Sequence, residues 1–189
     1  EGAIKEVSEL LDKLVKAVKT AEGASSGTAA IGEVVADADA AKAADKASVK
    51  GIAKGIKEIV EAAGGSEKLK VAAAKGENNK GAGKLFGKAG DAAHAGDSEA
   101  ASKAAGAVSA VSGEQILSAI VKAAGAAEQE GKKPADATNP IAAAIGDKDG
   151  GAEFGDGMKK DDQIAAAIAL RGMAKDGKFA VKDGEKEKA

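Results

Sequence analysis

The sequence predicts an all-α protein, a helical bundle with long polar surface loops and little or no strand. Alanine, the strongest helix former and the smallest side chain that fills a core, makes up about a quarter of the 189 residues. Apolar residues recur at helical spacing in several segments, and polar loops rich in glycine separate these segments. Because only 2% of the residues are aromatic, we expect a core of closely packed small side chains.

The first segment has a 3-4-3-4 apolar spacing, which predicts a helix able to pack in coiled-coil fashion. The residues of its apolar seam are Ile4, Val7, Leu11, Leu14 and Val18. We expect this helix to end near Glu22 and Gly23. Thr28 is then expected to cap a second, weaker helix over residues 28–38.

Capping residues mark the helices that follow. Ser48 precedes a strongly amphipathic segment, and residues 98–111 are rich in alanine. Ser112 and Gln115 have the spacing of a capping box directly before another apolar helix. Pro140 suits the first turn of a short helix, because proline lacks the N–H that this position leaves unpaired.

The segment from Ile164 to Leu170 carries no charge and no hydroxyl over about two helical turns. A helix without a polar face must be enclosed by other helices, so we expect this one to lie buried at the centre of the protein.

Charged residues mark the two ends of this helix. Asp161 and Asp162 suit a helix N-terminus, and Arg171 suits a C-terminus. Either Gly172 or Gly177 would supply the left-handed residue that stops the helix. Since neighbouring residues on a helix point in different directions, the two aspartates suit capping better than paired acid–base chemistry.

Composition excludes several classes of function. The 28 basic and 30 acidic residues are interspersed, and Arg171 is the only arginine, so the chain lacks the arginine-rich surface that recognises nucleic acid. There is no cysteine to form a disulfide or a catalytic thiol. No apolar run approaches the ~18 residues of a membrane span. The chain opens on Glu1 rather than Met, which favours a piece of a longer protein.

No catalytic, cofactor-binding or metal site is expected. His94 is the only histidine and is more simply a solvated loop residue than a ligand or base. Residues 81–87 have GxGxxxG spacing, which fits neither phosphate-loop template. Asp147 and Asp149 begin like a calcium loop, but the later ligand positions do not fit, so a plain turn is favoured.

Four blocks of sequence resemble the Vls antigens of Lyme-disease Borrelia, a family of surface lipoproteins similar to the variable major proteins. Residues 158–182, MKKDDQIAAAIALRGMAKDGKFAVK, resemble the sixth invariable region of that family. The other blocks are EGAIKEVSELLDKLVKAVKTAEGASSGTAAIGEVV at 1–35, SVKGIAKGIKEIVEAAGGSEKLK at 48–70 and NPIAAAIGDKDGGAEF at 139–154. The resemblance implies one helical domain over residues 1–189, the variable cassette region, without the family's lipidated N-terminal and C-terminal flanks.

The resemblance also implies a function. It is that of an antigenically variable outer-surface protein for host immune evasion, not an enzyme, with a helical scaffold that displays variable loops and binds no cofactor. The implied partners are host antibodies, with a weak homodimer besides, and no nucleic acid. In the full-length protein the implied place is the cell outer membrane, held by a lipid anchor outside this chain.

The same resemblance assigns residues to a constant scaffold and to a variable surface. The invariable core helix would contain Asp161, Gln163, Ile164, Ile168, Leu170, Arg171 and Met173. The variable-loop surface would contain Glu77, Asn78, Asn79, Asp91, His94, Lys132, Lys133, Asp147 and Asp149.

Two other functions remain open at this point. Lysine-rich turns are compatible with an adhesin that binds a host ligand through its loops. A composition of Ala, Gly, Lys and Glu without Cys or Trp is also typical of disordered stress-protection proteins, although the periodic Ile, Val and Leu faces argue against disorder.

Overall fold

Six α-helices and a two-stranded parallel sheet are present in the computed structural model, which describes residues 2–25, 31–36, 43–69, 71–87, 95–126, 129–147 and 151–187. The α-helices are α1 (Gly2–Ala24), α2 (Lys46–Ala62), α3 (Ser98–Ser109), α4 (Gly113–Ala124), α5 (Pro140–Ile145) and α6 (Asp161–Met173). The strands are β1 (Val34–Val35) and β2 (Phe179–Ala180). Short 3₁₀ helices lie at Ser66–Lys68, Lys80–Phe86, Pro134–Asp136 and Asp156–Met158. The prediction of an all-α fold with little strand is confirmed.

The centre of the core is formed by α5 and α6. Every residue of α5 is buried, and α6 contacts α2, α3, α4 and α5. Within α6, Ile164 and Leu170 are fully buried, together with the alanines between Ile164 and Ile168. Ile168 and Ala169 are only half-buried, so one narrow edge of α6 reaches the surface. The expectation of burial on every side is therefore correct for most of the helix and wrong at this edge.

Small residues bring α1 and α2 close together. A Cβ atom placed on Gly55 would lie 2.6 Å from the Cβ and 2.8 Å from the Cα of Ala21, and one on Gly51 would lie 2.5 Å from the Cβ of Ala24. Real Cβ atoms do not approach other atoms so closely, so both positions require glycine for this helix contact. The only side chain of α1 described as buried is that of Ala17.

The apolar seam of α1 is not covered by this contact. The side chains of Ile4, Val7, Leu11 and Val18 are more than half exposed, and Ile4 reaches 78%. The predicted helix is present, but its coiled-coil seam has no helix against it within the described residues.

Caps fix where several helices begin. Asp45 accepts a hydrogen bond from the Ser48 backbone N–H at 2.7 Å, so α2 begins before Ser48 rather than after it. The predicted capping box of α4 is present, with Ser112 and Gln115 each accepting from the other's backbone. Asn139 accepts from the first free N–H groups of α5, directly before Pro140.

The weak helix predicted over residues 28–38 is wrong where the structure describes it. Val34 and Val35 form β1, which pairs in parallel with β2 so that Val34 lies opposite Phe179. Val181 N–H donates to the carbonyl of Val35 at 2.9 Å. Two adjacent valines suit an extended conformation, and the strand that stabilises it lies far along the chain. Residues 28–30 and 37–38 of that prediction lie outside the described residues.

The left-handed residue that follows α6 also differs from the one expected. Gly172 lies inside the helix, and neither it nor Gly177 has a positive φ. The left-handed residue is Asp176, with φ of 57°. Gly177 is needed for another reason, because a Cβ there would collide with the carbonyl oxygen of Arg171.

No single helix of the described chain is long and apolar enough to cross a membrane. Only α3 and α4 taken together meet that length and composition, and they are bent by 99° at the break between them.

The close contact of α1 and α2 can be tested by adding one methyl group. Gly55→Ala should destabilise the protein by about 1–2 kcal/mol, because the cost of overpacking exceeds the gain in helix propensity. Gly113→Ala is the matched control, since nothing lies within 4 Å of a Cβ at that helix position. Urea unfolding followed by far-ultraviolet circular dichroism measures both changes. Equal stability of the two variants would contradict the packing.

Candidate functional site: a buried helix and the loops around it

Arg171 joins four parts of the chain at the C-terminal end of α6. Its side chain is 1% exposed. Nη1 donates to the carbonyls of Ala144 and Ile145 at 2.9 and 3.2 Å, and Nε donates to the carbonyl of Lys178 at 2.8 Å. The guanidinium carbon also lies 5.6 Å from the ring centre of Phe86. The arginine therefore caps α5, whose last carbonyls have no partner within their own helix.

Burial changes the acidity of this group without neutralising it. Removal from water lowers the pKa of Arg171 to about 10, because the charged form loses its hydration. The side chain is still a cation at neutral pH. Its positive charge lies next to the C-terminal end of α5, where the helix dipole is negative.

Three phenylalanines contact one another beside Arg171. Phe86 meets Phe154 at 5.2 Å and Phe179 at 5.6 Å between ring centres, both edge to face. These are all the aromatic residues of the chain. Phe86 and its neighbour Leu85 are both buried in the core.

The N-terminal end of α6 is tied to a surface loop. Asp161 and Asp162 are both buried, at 3% and 6% exposure. Asn79 donates a side-chain hydrogen bond to Asp161 at 2.8 Å, and the backbone N–H of Ala74 donates to Asp162 at 3.3 Å. Asp162 also accepts from the N–H of Gln163 at 2.9 Å. The two carboxylates point to different partners, so they hold the loop and the helix start rather than form an acid–base pair.

The residues assigned to the invariable helix all lie on α6, but their exposure differs. Asp161, Ile164, Leu170 and Arg171 are buried, whereas Gln163, Ile168 and Met173 are half-buried. The sequence did not reveal that Asn79 contributes to this site, because its side chain donates to Asp161, which is 82 residues away.

The residues assigned to the variable-loop surface divide into three groups. Glu77, Asn78 and Lys133 are exposed. The half-buried members are Asn79, Lys132 and Asp147. Asp91, His94 and Asp149 lie outside the described residues. Whether these positions vary stays a prediction.

The glycine-rich segment at 81–87 packs against the chain itself, and residues 148–150 of the calcium-like loop lie outside the described residues. In the glycine-rich segment a Cβ on Gly83 would lie 2.5 Å from the carbonyl oxygen of Ala152, so the chain itself fills that space. Among the described residues, no three His, Cys, Asp or Glu side chains gather as a metal site requires.

Charged loop residues are paired across the surface. Lys80 lies 3.0 Å from Asp156, and Lys159 lies 3.2 Å from Glu77. The hydrogen bond from Lys80 lowers the pKa of Asp156. Such exposed pairs add little stability, but they offset the charges of Lys80 and Lys159.

A carboxylate also secures the segment after α6. Asp97 caps α3 through the N–H of Ala100 and lies 3.0 Å from the Lys182 ammonium group. The backbone hydrogen bond, followed by the one from Lys182, lowers the pKa of Asp97 below 3.8. A carboxyl whose pKa is lower in the folded state than in the unfolded state stabilises the protein at pH values above its unfolded-state pKa. This contribution is lost as the pH falls through its folded-state pKa.

This geometry defines a class of protein: an all-α scaffold with a buried central helix and polar loops at its surface. The whole chain, residues 1–189, matches the family model described as Borrelia lipoprotein, and the chain belongs to that family.

Two relatives and one solved structure agree with this family. Variable large protein 17 of Borrelia hermsii is 40% identical over 186 residues, which cover 97% of this chain and 52% of that protein. Variable large protein 4 of Borrelia hermsii is 37% identical, and the match covers 95% of this chain and 52% of that protein. The chain thus spans about half the length of the curated relatives it matches.

The solved structure is much nearer in sequence. The crystal structure of the Lyme disease variable surface antigen VlsE of Borrelia burgdorferi is 93% identical and has a TM-score of 0.96. The match covers all of this chain and 69% of that one. The family resemblance seen in the sequence is confirmed.

The uneven burial of α6 can be tested with two isoleucines. Ile164→Ala should cost about 3 kcal/mol of unfolding free energy, because a fully enclosed side chain leaves a cavity. Ile168→Ala should cost only about 1 kcal/mol, because water already reaches one side of that residue. Urea unfolding compares the two variants, and equal losses would contradict the exposed edge.

The hydrogen bonds donated by the Arg171 guanidinium can be tested by changing the shape of this side chain and its charge separately. Arg171→Met should cost about 3 kcal/mol, because buried carbonyls of α5 and of Lys178 lose their donor. Arg171→Lys keeps the charge but has one side-chain nitrogen. Its stability in thermal and urea unfolding should therefore lie between that of the Met variant and that of the original chain. A lysine variant as stable as the original chain would show that the charge alone is sufficient.

Proposed function

We propose that residues 1–189 form one helical domain, the antigenically variable cassette of an outer-surface lipoprotein that lets a Borrelia cell evade host antibodies. The observation that carries this proposal is the contrast between α6, which is largely enclosed, and the loops that contain Glu77, Asn78 and Lys133, which are exposed. The 93% identity to a protein described as a variable surface antigen supports it.

Protein stability gives a physical reason for keeping the helices constant. A large-to-small change in a packed core costs about 2–5 kcal/mol, and a domain has only about 5–15 kcal/mol in total. Exposed positions away from specific contacts usually change stability by less than about 0.5 kcal/mol. New sequences are therefore tolerated in the loops, and a new sequence in α5 or α6 risks unfolding.

We also propose a cellular location and partners for this domain. In the whole protein, a lipid anchor would hold the domain at the outer membrane with its loops accessible to host antibodies. The domain would act by being recognised or by escaping recognition, and not by catalysis. Membership of a lipoprotein family and the 93% identity to a variable surface antigen support this location.

Sequencing clones recovered over time from one infected host tests the function. Changes should concentrate in residues 75–83, 87–97, 129–139 and 146–157, while α5 and α6 remain constant. Serum collected early should bind the early clone more strongly than the late one. A control gene for an internal protein of the same clones gives the background rate of change. Changes scattered evenly through helices and loops would contradict the proposal.

A further inference from the structure

Residues 72–79 form a strap across the first turn of α6. They contain no helix and no strand, and Ala74 is the one buried residue among them, at 6% exposure. The strap leads into the 3₁₀ helix Lys80–Phe86, which the buried side chains of Leu85 and Phe86 fix to the core. The strap itself therefore has very little apolar surface that holds it to the protein.

Polar contacts with the start of α6 hold the strap instead. The N–H of Ala74 donates to the carboxylate of Asp162 at 3.3 Å. The N–H of Asp161 donates to the carbonyl of Gly76 at 3.2 Å. The side chain of Asn79 donates to the carboxylate of Asp161 at 2.8 Å. Asp161 thus contacts the strap through both its backbone and its side chain.

Two further contacts lie at the exposed margin of the strap. The side chain of Gln115 donates to the carbonyl of Ala72 at 2.9 Å, and Lys159 lies 3.2 Å from Glu77. Water competes for both contacts, so each adds little stability. The contacts with the two buried aspartates are therefore the ones that decide whether the strap stays closed.

Gly76 fits against Asp161 because it has no side chain. A Cβ atom at this position would collide with one carboxylate oxygen of Asp161. The other oxygen accepts the hydrogen bond from Asn79, so the carboxylate cannot turn away from Gly76 without losing that bond. Gly76 and Asn79 thus hold one buried carboxylate between them.

We propose that the strap opens and closes as one unit over the start of α6 while the rest of the domain stays folded, and that the side chain of Asn79 holds it closed. A segment with few buried apolar contacts opens at a lower free energy than the core of a protein. Opening uncovers Asp161 and Asp162, which are 3% and 6% exposed in the closed form. The middle of α6 remains packed against its neighbouring helices.

The strap gives a loop control over access to the central helix. It overlaps residues 75–83, a loop that we expect to vary, whereas Asp161 and Asp162 belong to the helix that we expect to stay constant. A change at Asn79 would expose the first turn of α6 to host antibodies more often, while a change at Asn78 would alter the surface alone. This consequence rests on the proposed function, but the opening itself does not.

Amide hydrogen exchange tests the opening, because the N–H groups of Ala74 and Asp161 bond across the contact from opposite sides. Asp161 is the first residue of α6, so its N–H has no acceptor within its own helix and depends on the strap. In NMR measurements the two amides should have protection factors that agree within about fivefold. Both factors should be at least about a hundredfold below those in the middle of α6, for example at Ala167.

Substitutions on the strap test what holds it closed. Asn79→Ala should lower both protection factors at least about tenfold, because a hydrogen bond to a charged carboxylate is lost. Gly76→Ala should act in the same direction, because the added methyl group displaces that carboxylate. Asn78→Ala is the matched control, since this neighbouring side chain is exposed, and it should leave both factors unchanged.

Four results would overturn the proposal. If Ala74 and Asp161 are as protected as the middle of α6, the strap opens only when the domain unfolds. Protection factors that differ between these two amides would show that the contacts break separately. An Asn79→Ala variant with unchanged protection would exclude Asn79 as the residue that holds the strap. An equal loss of protection throughout α6 would indicate destabilisation of the whole domain.

No antibody takes part in the exchange measurements. A strap that fails to open would therefore leave the proposed function intact, and sequence changes scattered evenly among clones would leave the strap intact.

Discussion

The buried guanidinium of Arg171 is the contact on which the centre of the fold depends. It lies in the last turn of α6, caps α5 and holds the segment that leads to β2, while Phe86 lies within cation–π distance. A lysine has one nitrogen and cannot donate in these separated directions, whereas the planar guanidinium donates from both Nε and Nη1. The burial lowers the pKa of Arg171 only to about 10, so the side chain keeps the charge that suits the end of α5.

Arginine is suited to this point because α5 and the middle of α6 are built almost entirely from alanine and isoleucine. Methyl groups let α5 and α6 approach closely, and Arg171 is the side chain of α6 that caps α5. Gly177 lets the chain turn back against the end of α6, since any side chain there would meet the carbonyl oxygen of Arg171. Large side chains are correspondingly few, and the three phenylalanines fill the space beside the arginine rather than lie spread through the core.

Local pattern was sufficient to predict the six α-helices of the described residues, because each carries its own apolar pattern, alanine content or capping residue. The capping box at Ser112 and Gln115 needs only neighbours in sequence, and so does the uncharged run of α6. Val34 and Val35 were misassigned because their strand exists only through Phe179 and Ala180, far along the chain.

The candidate site was less predictable than the helices, for the same physical reason. The part of Asn79 depends on Asp161, 82 residues away, and the burial of Phe86 depends on Phe154 and Phe179. Contacts at such separation leave no mark on local spacing. The exposed edge at Ile168 is also a tertiary property, because the sequence around it is as apolar as the rest of α6.

The way the loops are fastened decides how freely their sequence can change. The N–H of Phe154 donates to the carbonyl of Lys80 at 2.9 Å, and the N–H of Lys132 donates to the carbonyl of Ala142 at 3.1 Å. Backbone groups make these contacts, so they survive a change of side chain at most positions. Asn79 differs from its exposed neighbours, because its own amide reaches the buried carboxylate of Asp161. A loop residue of this kind belongs to the scaffold by its bonding, and a variable surface on this fold is expected to spare it.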